Sequence, residues 1–262
     1  MALRTDIHCH LLPGLDDGPA SMEETLELAR GAWEDGTGVV VATPHVRHDF
    51  ITDPSDFPDR AREAAGELRR AGIPLEVRAG GELGHDMVGT LEQRDLDTIA
   101  QGPAHARWVL VETPFEGLSD DVHAATDELR DRGFGVVLAH PERAAGLLHA
   151  GSRALLWREL LRGTVLQVNA WSLAGGYGAE AEEFARRLLR DGLVDVIASD
   201  GHPGWRAAHL GVGLERARDA GVEEVAASRM VTATPAGLLE RGLVPWVPAQ
   251  RLSALSDAPA WR

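Results

Sequence analysis

The sequence predicts an α/β fold, a parallel sheet closed into a barrel, and three observations carry that reading. Short β-branched runs alternate with longer amphipathic stretches, the pattern of repeated βα units. Several amphipathic stretches close on glycine, which takes the left-handed turn at a helix C-terminus at no steric cost. Nearly every apolar run ends in His, Glu, Asp or Asn, and only closure gathers those ends on one face. An open, doubly wound sheet would spread them along a line about 30 Å across, too far apart for one site.

Taken in order, the first strand ends near His8. Ser21 followed by Glu24 reads as a capping box and opens a helix over 22–34 that closes on Gly36. A strand over 39–43, a helix over 58–71 with Gly72, and a strand over 75–79 follow. The run 108–112 leads to a helix over 120–132 with Gly133, then to a strand over 135–139. A helix over 153–162 with Gly163 precedes the strand 165–169, and a helix over 179–190 with Gly192 precedes the strand 194–199. The last predicted helix runs over 206–220 and ends at Gly221. Seven βα units in one domain over 1–245 result, with residues 246–262, Trp246 and Trp261 among them, as an irregular tail.

Composition removes several classes of function. No apolar run reaches the roughly 18 residues of a membrane span, and the first residues lack a secretory pattern. Cys9 is the one cysteine, so no internal disulfide exists and a cytoplasmic setting is expected. The net charge of −15 repels phosphate backbones and anionic lipid, which argues against nucleic-acid and membrane-surface partners. All 26 basic residues are arginine. Without lysine there is no Schiff base, no P-loop lysine, no Ser–Lys dyad and no carbamylated-lysine metal bridge.

The strand ends supply the chemistry. His8 and His10, one residue apart, face the same side of a strand. A loop adds Asp17, within the run Asp16-Asp17-Gly18, the second strand leads to His45, and the third ends in Gly80-Gly81-Glu82. Glu112, His140, and Asp200 with His202 close the later strands. One histidine alone would be an ordinary hydrogen-bonded residue. Five histidines and four carboxylates at converging ends are another matter, because buried carboxylates are costly unless compensated. Imidazole and carboxylate together are ligands for Zn, Mn or Fe.

His105, His123, His149 and His209 have no partner at ligand spacing and read as surface residues, and His48 and His85 read as solvated loop residues. Arg143 follows His140 by three residues and Arg206 follows His202 by four at the opening of a helix, so both are candidates to serve this site. Arg47, two after His45, is a weaker third whose alternative is a surface salt bridge. Cys9 reads as a core residue. A cysteine-based phosphatase loop needs arginine six residues later, where Leu15 stands.

The run Asp6-Ile-His-Cys-His-Leu-Leu-Pro-Gly-Leu-Asp-Asp-Gly18 closely resembles the manganese-dependent protein-tyrosine phosphatases of bacterial capsule and exopolysaccharide operons, within the PHP (polymerase and histidinol phosphatase) superfamily. The segments 42–45, 111–115, 139–143 and 197–202 agree with it, and the likeness spans roughly residues 3 to 240. The resemblance implies a distorted TIM-like (β/α)7 barrel of the PHP type, with a trinuclear metal site at the C-terminal strand ends. Carried over residue by residue, His8, His10 and Asp200 would hold one metal. Glu82 would bridge it to a second that Glu112 and His140 complete, and Asp17, His45 and His202 would hold the third.

The implied activity is phosphomonoester hydrolysis, of phosphotyrosine-type esters, by hydroxide generated on three divalent ions, Mn first and Fe or Zn next. Arg143 and Arg206 would steady the phosphoryl oxygens beside Asp200. One alternative keeps barrel and metals but takes a small phosphate ester, of a sugar, nucleoside or histidinol. A remoter one is a non-catalytic scaffold, whose mark would be missing ligands; all nine positions are filled.

Overall fold

The computed structural model describes residues 3–144 and 150–244, the side chains of 150–153 excepted. The expected tail over 246–262 lies outside the described residues, as does His149. The strands are β1 (Arg4–Cys9), β2 (Thr37–Ala42), β3 (His45–Val46), β4 (Glu76–Ala79), β5 (Glu82–Leu83), β6 (Trp108–Glu112), β7 (Gly135–Ala139), β8 (Val165–Asn169) and β9 (Val196–Ala198). Between and after them lie α1 (Met22–Glu34), α2 (Phe57–Arg70), α3 (Gln93–Ile99), α4 (Asp120–Asp131), α5 (Ala150–Leu161), α6 (Ala170–Leu173), α7 (Ala179–Arg190), α8 (Gly211–Asp219), α9 (Glu224–Val231) and α10 (Ala233–Arg241).

All strand pairings are parallel, in the orders β1-β2-β4 and β3-β5-β6-β7-β8-β9. The two sheets are continuous through the backbone, for Gly80 N–H donates to Ala42 and Glu82 N–H to Pro44. Thus β3 and β5 extend β2 and β4 past two kinks. Pro44, which has no N–H to give the ladder, makes one. Gly80 and Gly81 make the other, where any Cβ would meet Val41 at 2.6 Å or Ile99 at 2.8 Å. Beyond β9, Asp200 N–H donates to His8 and His10 N–H to Gly201, at 2.8 and 3.0 Å.

The two-residue period of a strand explains where the polar ends point. Trp108 and Leu110 on β6, Val137 and Ala139 on β7, Val165 on β8, and Val196 and Ala198 on β9 share one apolar cluster. Two residues further along the same face come Glu112, Gln167 and Asp200. At the opposite end α10 seals the cluster, where Leu238 and Leu239 pack and Trp108 Nε1–H donates to the Leu238 carbonyl at 2.9 Å. Larger apolar clusters fill the layer between strands and helices.

Half of the expected capping box forms: Ser21 caps α1 by accepting from Glu24 N–H, while the Glu24 carboxylate accepts from Ala20 N–H instead of returning to Ser21 N–H. The six closing glycines have φ between 69° and 94°. The last predicted helix needs correction. It starts at Gly211, not at 206, because Gly204 adopts φ 83° and Asp35 Oδ2 accepts both Leu210 and Gly211 N–H at 2.8 Å, fixing the helix start there. Arg206 therefore lies in the turn before α8, bridged to His202, rather than at a helix opening. The short α3, α9 and α10 were not expected from the apolar pattern.

Candidate metal centre

Glu82 is fully buried at the start of β5, and four histidines surround its carboxylate. Oε2 lies 3.2 Å from His8 Nε2, 3.3 Å from His10 Nε2 and 3.1 Å from His45 Nδ1; Oε1 lies 2.8 Å from His140 Nε2. Asp200 Oδ1 sits 3.4 and 3.3 Å from the Nε2 atoms of His8 and His10. Asp17, half exposed, brings Oδ1 within 3.1 Å of His202 Nε2. Four groupings of three donors are close enough to share a cation: His8, Glu82 and His140; His8, His10 and Asp200; His10, His45 and Glu82; His10, Asp17 and His202.

Eight of the nine expected ligands thus converge. The ninth, Glu112, stands outside the four groupings, with both carboxylate oxygens taken by Arg47 at 2.9 and 2.8 Å. Burial, then the charge on Glu82, pushes the Glu112 carboxyl up to about 8, which shows how poor this place is for an uncompensated anion. Arg47 also pairs with Asp49, so the salt-bridge reading holds for it.

The donor set fits divalent cations on two grounds. Glu82 Oε2 and His45 Nδ1 are buried, face each other, and have no hydrogen-bond partner, an arrangement of two lone pairs that a cation satisfies. The outer nitrogens of three rings are also held. His8 Nδ1 meets Gln167 Oε1 at 2.9 Å, His10 Nδ1 meets Asp16 Oδ2 at 2.6 Å, and His202 Nδ1 meets the Asp200 carbonyl at 2.9 Å. An acceptor on Nδ1 fixes the tautomer that turns Nε2 inward at His8 and His10, while at His202 that nitrogen also accepts from Arg206 at 2.9 Å. Burial drives His45 down to about 4; burial and then Arg143 do the same to His140, so both rings are neutral near pH 7 with lone pairs free. Burial alone would raise Glu82 and Asp200, yet the histidines around them hold both carboxyls well below the usual range.

Backbone strain collects here. Among the described residues, His140 (φ 35°) and Asp200 (φ 50°) are the two non-glycines with left-handed φ. That conformation costs roughly 1–2 kcal/mol for a residue with a Cβ, and it persists where surrounding structure imposes it for a purpose.

Arg143 and Arg206 both reach this centre. They donate to Asp200 Oδ2 at 2.9 and 2.6 Å, and Asn169 Nδ2 donates to the same oxygen at 2.7 Å. Arg206 is buried and also donates to His202 and to the Tyr177 hydroxyl. Cys9 faces away into an apolar cluster, and burial raises its thiol far above the ordinary value. Asp16, Gln167 and Asn169 are the neighbours that the sequence pattern did not single out. Gln167 and Asn169 did leave a signal, two polar residues of one parity in a wholly buried strand.

His123 also departs from expectation. It is buried, not exposed, with Nδ1 2.5 Å from Glu159 Oε1. His105, His209 and His48 are exposed, as expected, and His85 is half-buried.

Three comparisons bear on this arrangement. A family model described as "Capsular polysaccharide synthesis, CpsB/CapC" matches residues 4–239. The tyrosine-protein phosphatase YwqE of Bacillus subtilis is 32% identical over 201 residues, 75% of this chain and 76% of that protein. Among solved structures, the crystal structures of YwqE from Bacillus subtilis and CpsB from Streptococcus pneumoniae, described as unique metal-dependent tyrosine phosphatases, include a chain that superposes with a TM-score of 0.80 at 28% identity, covering 92% of this chain and 96% of that one. A phosphotriesterase homology protein from Escherichia coli shares the fold at a TM-score of 0.56 and 14% identity, over 90% of this chain and 98% of its own.

Proposed function

The chain belongs to the CpsB/CapC family of capsular polysaccharide synthesis, and from that premise we propose that it is a metal-dependent phosphoric monoester hydrolase acting on phosphotyrosine in proteins. The observation that carries this is the four-histidine shell around the buried Glu82 carboxylate, with two arginines beside it. Three divalent ions, manganese first, suit the donors. His8, His10 and Asp200 would hold one; Glu82, shared with it, would hold a second together with His140 and Glu112; Asp17, His45 and His202 would hold the third. Glu112 would enter only by exchanging its Arg47 partner for a cation.

Bound divalent ions supply Lewis-acid polarisation and acidify water near neutral pH. The chain's own residues do the rest. A phosphomonoester brings about two negative charges into a protein whose net charge is −15, so local positive groups must receive it. Arg143 and Arg206 offer guanidinium forks suited to the phosphoryl oxygens, and Asp200 Oδ2 holds both forks toward the site. Asp16 and Gln167 keep His10 and His8 in register. Cys9 takes no part as nucleophile, being buried, held as a thiol and without an arginine six residues on.

We also read the strands as one seven-membered ring of the PHP type, within a single unit over 1–245. The backbone bonds from Asp200 to His8 and from His10 to Gly201 support that closure. No helix among the described residues is long and apolar enough to cross a membrane, and the lone buried thiol suits a cytoplasmic setting.

Turnover of a phosphate-ester panel by manganese-loaded protein tests the reading. A phosphotyrosine peptide should be the preferred substrate, chelation should abolish the rate, and Cys9→Ser should keep it within about threefold. Preference for a sugar, nucleoside or histidinol phosphate would replace the substrate. An inactive Cys9→Ser protein with full metal content would replace the mechanism.

A further inference from the structure

Aromatic residues are 5% of this chain, and among the described residues Phe50, Phe115 and Trp205 are the phenylalanines and tryptophans left exposed. One lies against a candidate ligand and two against the arginines beside it. Phe50 stacks on His45, with centroids 4.9 Å apart at 16°. Phe115 covers the Arg143 guanidinium at 4.9 Å, and Trp205 covers that of Arg206 at 5.0 Å. Between the two arginines stands Tyr177, the one tyrosine in the sequence, 4.2 Å from Arg143 and 5.7 Å from Arg206. Its ring meets Trp205 edge-on, with centroids 5.9 Å apart at 86°. The side chains thus alternate as Phe115, Arg143, Tyr177, Arg206, Trp205.

Scattered surface rings need no explanation, but exposed rings gathered around one site do. Phe115 and Trp205 are 48% and 56% exposed, so each keeps a free face beyond its arginine contact. Stacking on the arginines alone would not require that. A phosphate held by Arg143 and Arg206 places its ester oxygen, and the group on that oxygen, beside these rings. Aromatic pairs gain from edge and offset contacts beyond the area they bury, and an alkyl group has no matching quadrupole.

We propose that Phe115, Tyr177 and Trp205 form a leaving-group subsite that selects aryl phosphates over alkyl phosphates. The proposal rests on the phosphomonoesterase reading and adds the residues that determine its specificity. Phe115 and Trp205 are the positions to vary, because exposed side chains can be truncated without emptying the core.

The experiment compares Phe115→Ala, Trp205→Ala and Trp205→Phe with the parent, all manganese-loaded and matched for metal content and melting temperature. Two readouts are taken: the ratio of kcat/KM for phenyl phosphate over glycerol 2-phosphate, and the calorimetric affinity ratio of phenylphosphonate over methylphosphonate. Each alanine variant should lower both ratios about tenfold, equivalent to about 1.4 kcal/mol, and Trp205→Phe should restore most of the loss. Rings that merely steady the arginines would weaken aryl and alkyl ligands equally, which overturns the proposal, as does a parent that binds both phosphonates alike. A parent that prefers phenylphosphonate yet hydrolyses no ester would instead sink the phosphatase reading and leave the subsite standing.

Discussion

Arg143 and Arg206 converge on one atom, Oδ2 of Asp200, from positions 57 and 6 residues away in the chain. Their surroundings differ. Arg143 is half-buried between Phe115 and Tyr177, whereas Arg206 is buried and also donates to His202. Arg143→Ala should therefore keep its metal content and lose roughly 10²-fold in turnover, the scale of one preorganised donor to developing charge. Arg206→Ala should lose turnover and also weaken metal affinity, since Arg206 bonds both Asp200 and His202, two of the proposed ligands. Lysine should rescue either only in part, since a point charge lacks the bidentate fork. Kinetics with elemental analysis of the four variants decide this, and unchanged kinetics at both alanine variants would leave phosphate recognition to the metals alone.

Glu82→Gln should do more harm than loss of any ligand at the edge of the cluster. The carboxylate meets all four histidines with two oxygens, and an amide keeps one acceptor and loses the charge. Bound metal should fall by about one ion per chain or more, with activity falling alongside. A variant with wild-type metal content and rate would remove Glu82 from its bridging role.

Asp16→Asn tests a residue that touches no proposed metal. Its Oδ2 lies 2.6 Å from His10 Nδ1 and also accepts His45 N–H at 2.9 Å, so it steadies two candidate ligands. Outer partners of this kind are typically worth about 10–100-fold in metal affinity. Competition against a chelator should show a loss of that size, with the fold intact by circular dichroism. Equal affinity for parent and variant would make Asp16 a loop-forming residue only.

These assignments differ in how far the sequence revealed them. The candidate ligands other than Asp17 are legible because they stand at or just past apolar runs, where the strand period sets a direction, as for Leu110 and Glu112 or Ala198 and Asp200. Asp16 was not, since nothing in the dipeptide Asp16-Asp17 tells which carboxylate turns to the His10 ring. Glu112 read as a ligand because its strand position is right, but position is silent about the Arg47 that claims it. Tyr177 and Trp205 lie in turns, where no periodicity points a side chain. His123 departs from the sequence reading because its partner Glu159 lies on α5 and reaches it only through the packing of α4 on α5.

That buried cluster yields the last prediction. Glu159 accepts from His123 and Thr126 at 2.5 and 2.8 Å on Oε1, and from Arg130 and Thr164 at 2.5 and 2.7 Å on Oε2. Burial alone would raise its carboxyl, but the Arg130 charge and these bonds hold it below the ordinary value. A carboxylate whose folded pKa is depressed adds stability that is complete above its unfolded value, about 4.3. That stability fades as pH falls from there through the folded value. Removing one partner of a buried ion pair costs about 3–5 kcal/mol, so Glu159→Gln should lower stability at pH 7 on that scale. The gap between parent and variant should then narrow as the pH drops below about 4, by at most about 1.4 kcal/mol per pH unit for one carboxyl, because the parent loses what the variant never had. Denaturant melts of both proteins from pH 7 to pH 3 measure it. A gap that stays constant across that range would show that Glu159 acts through its shape and neutral hydrogen bonds, not through its charge.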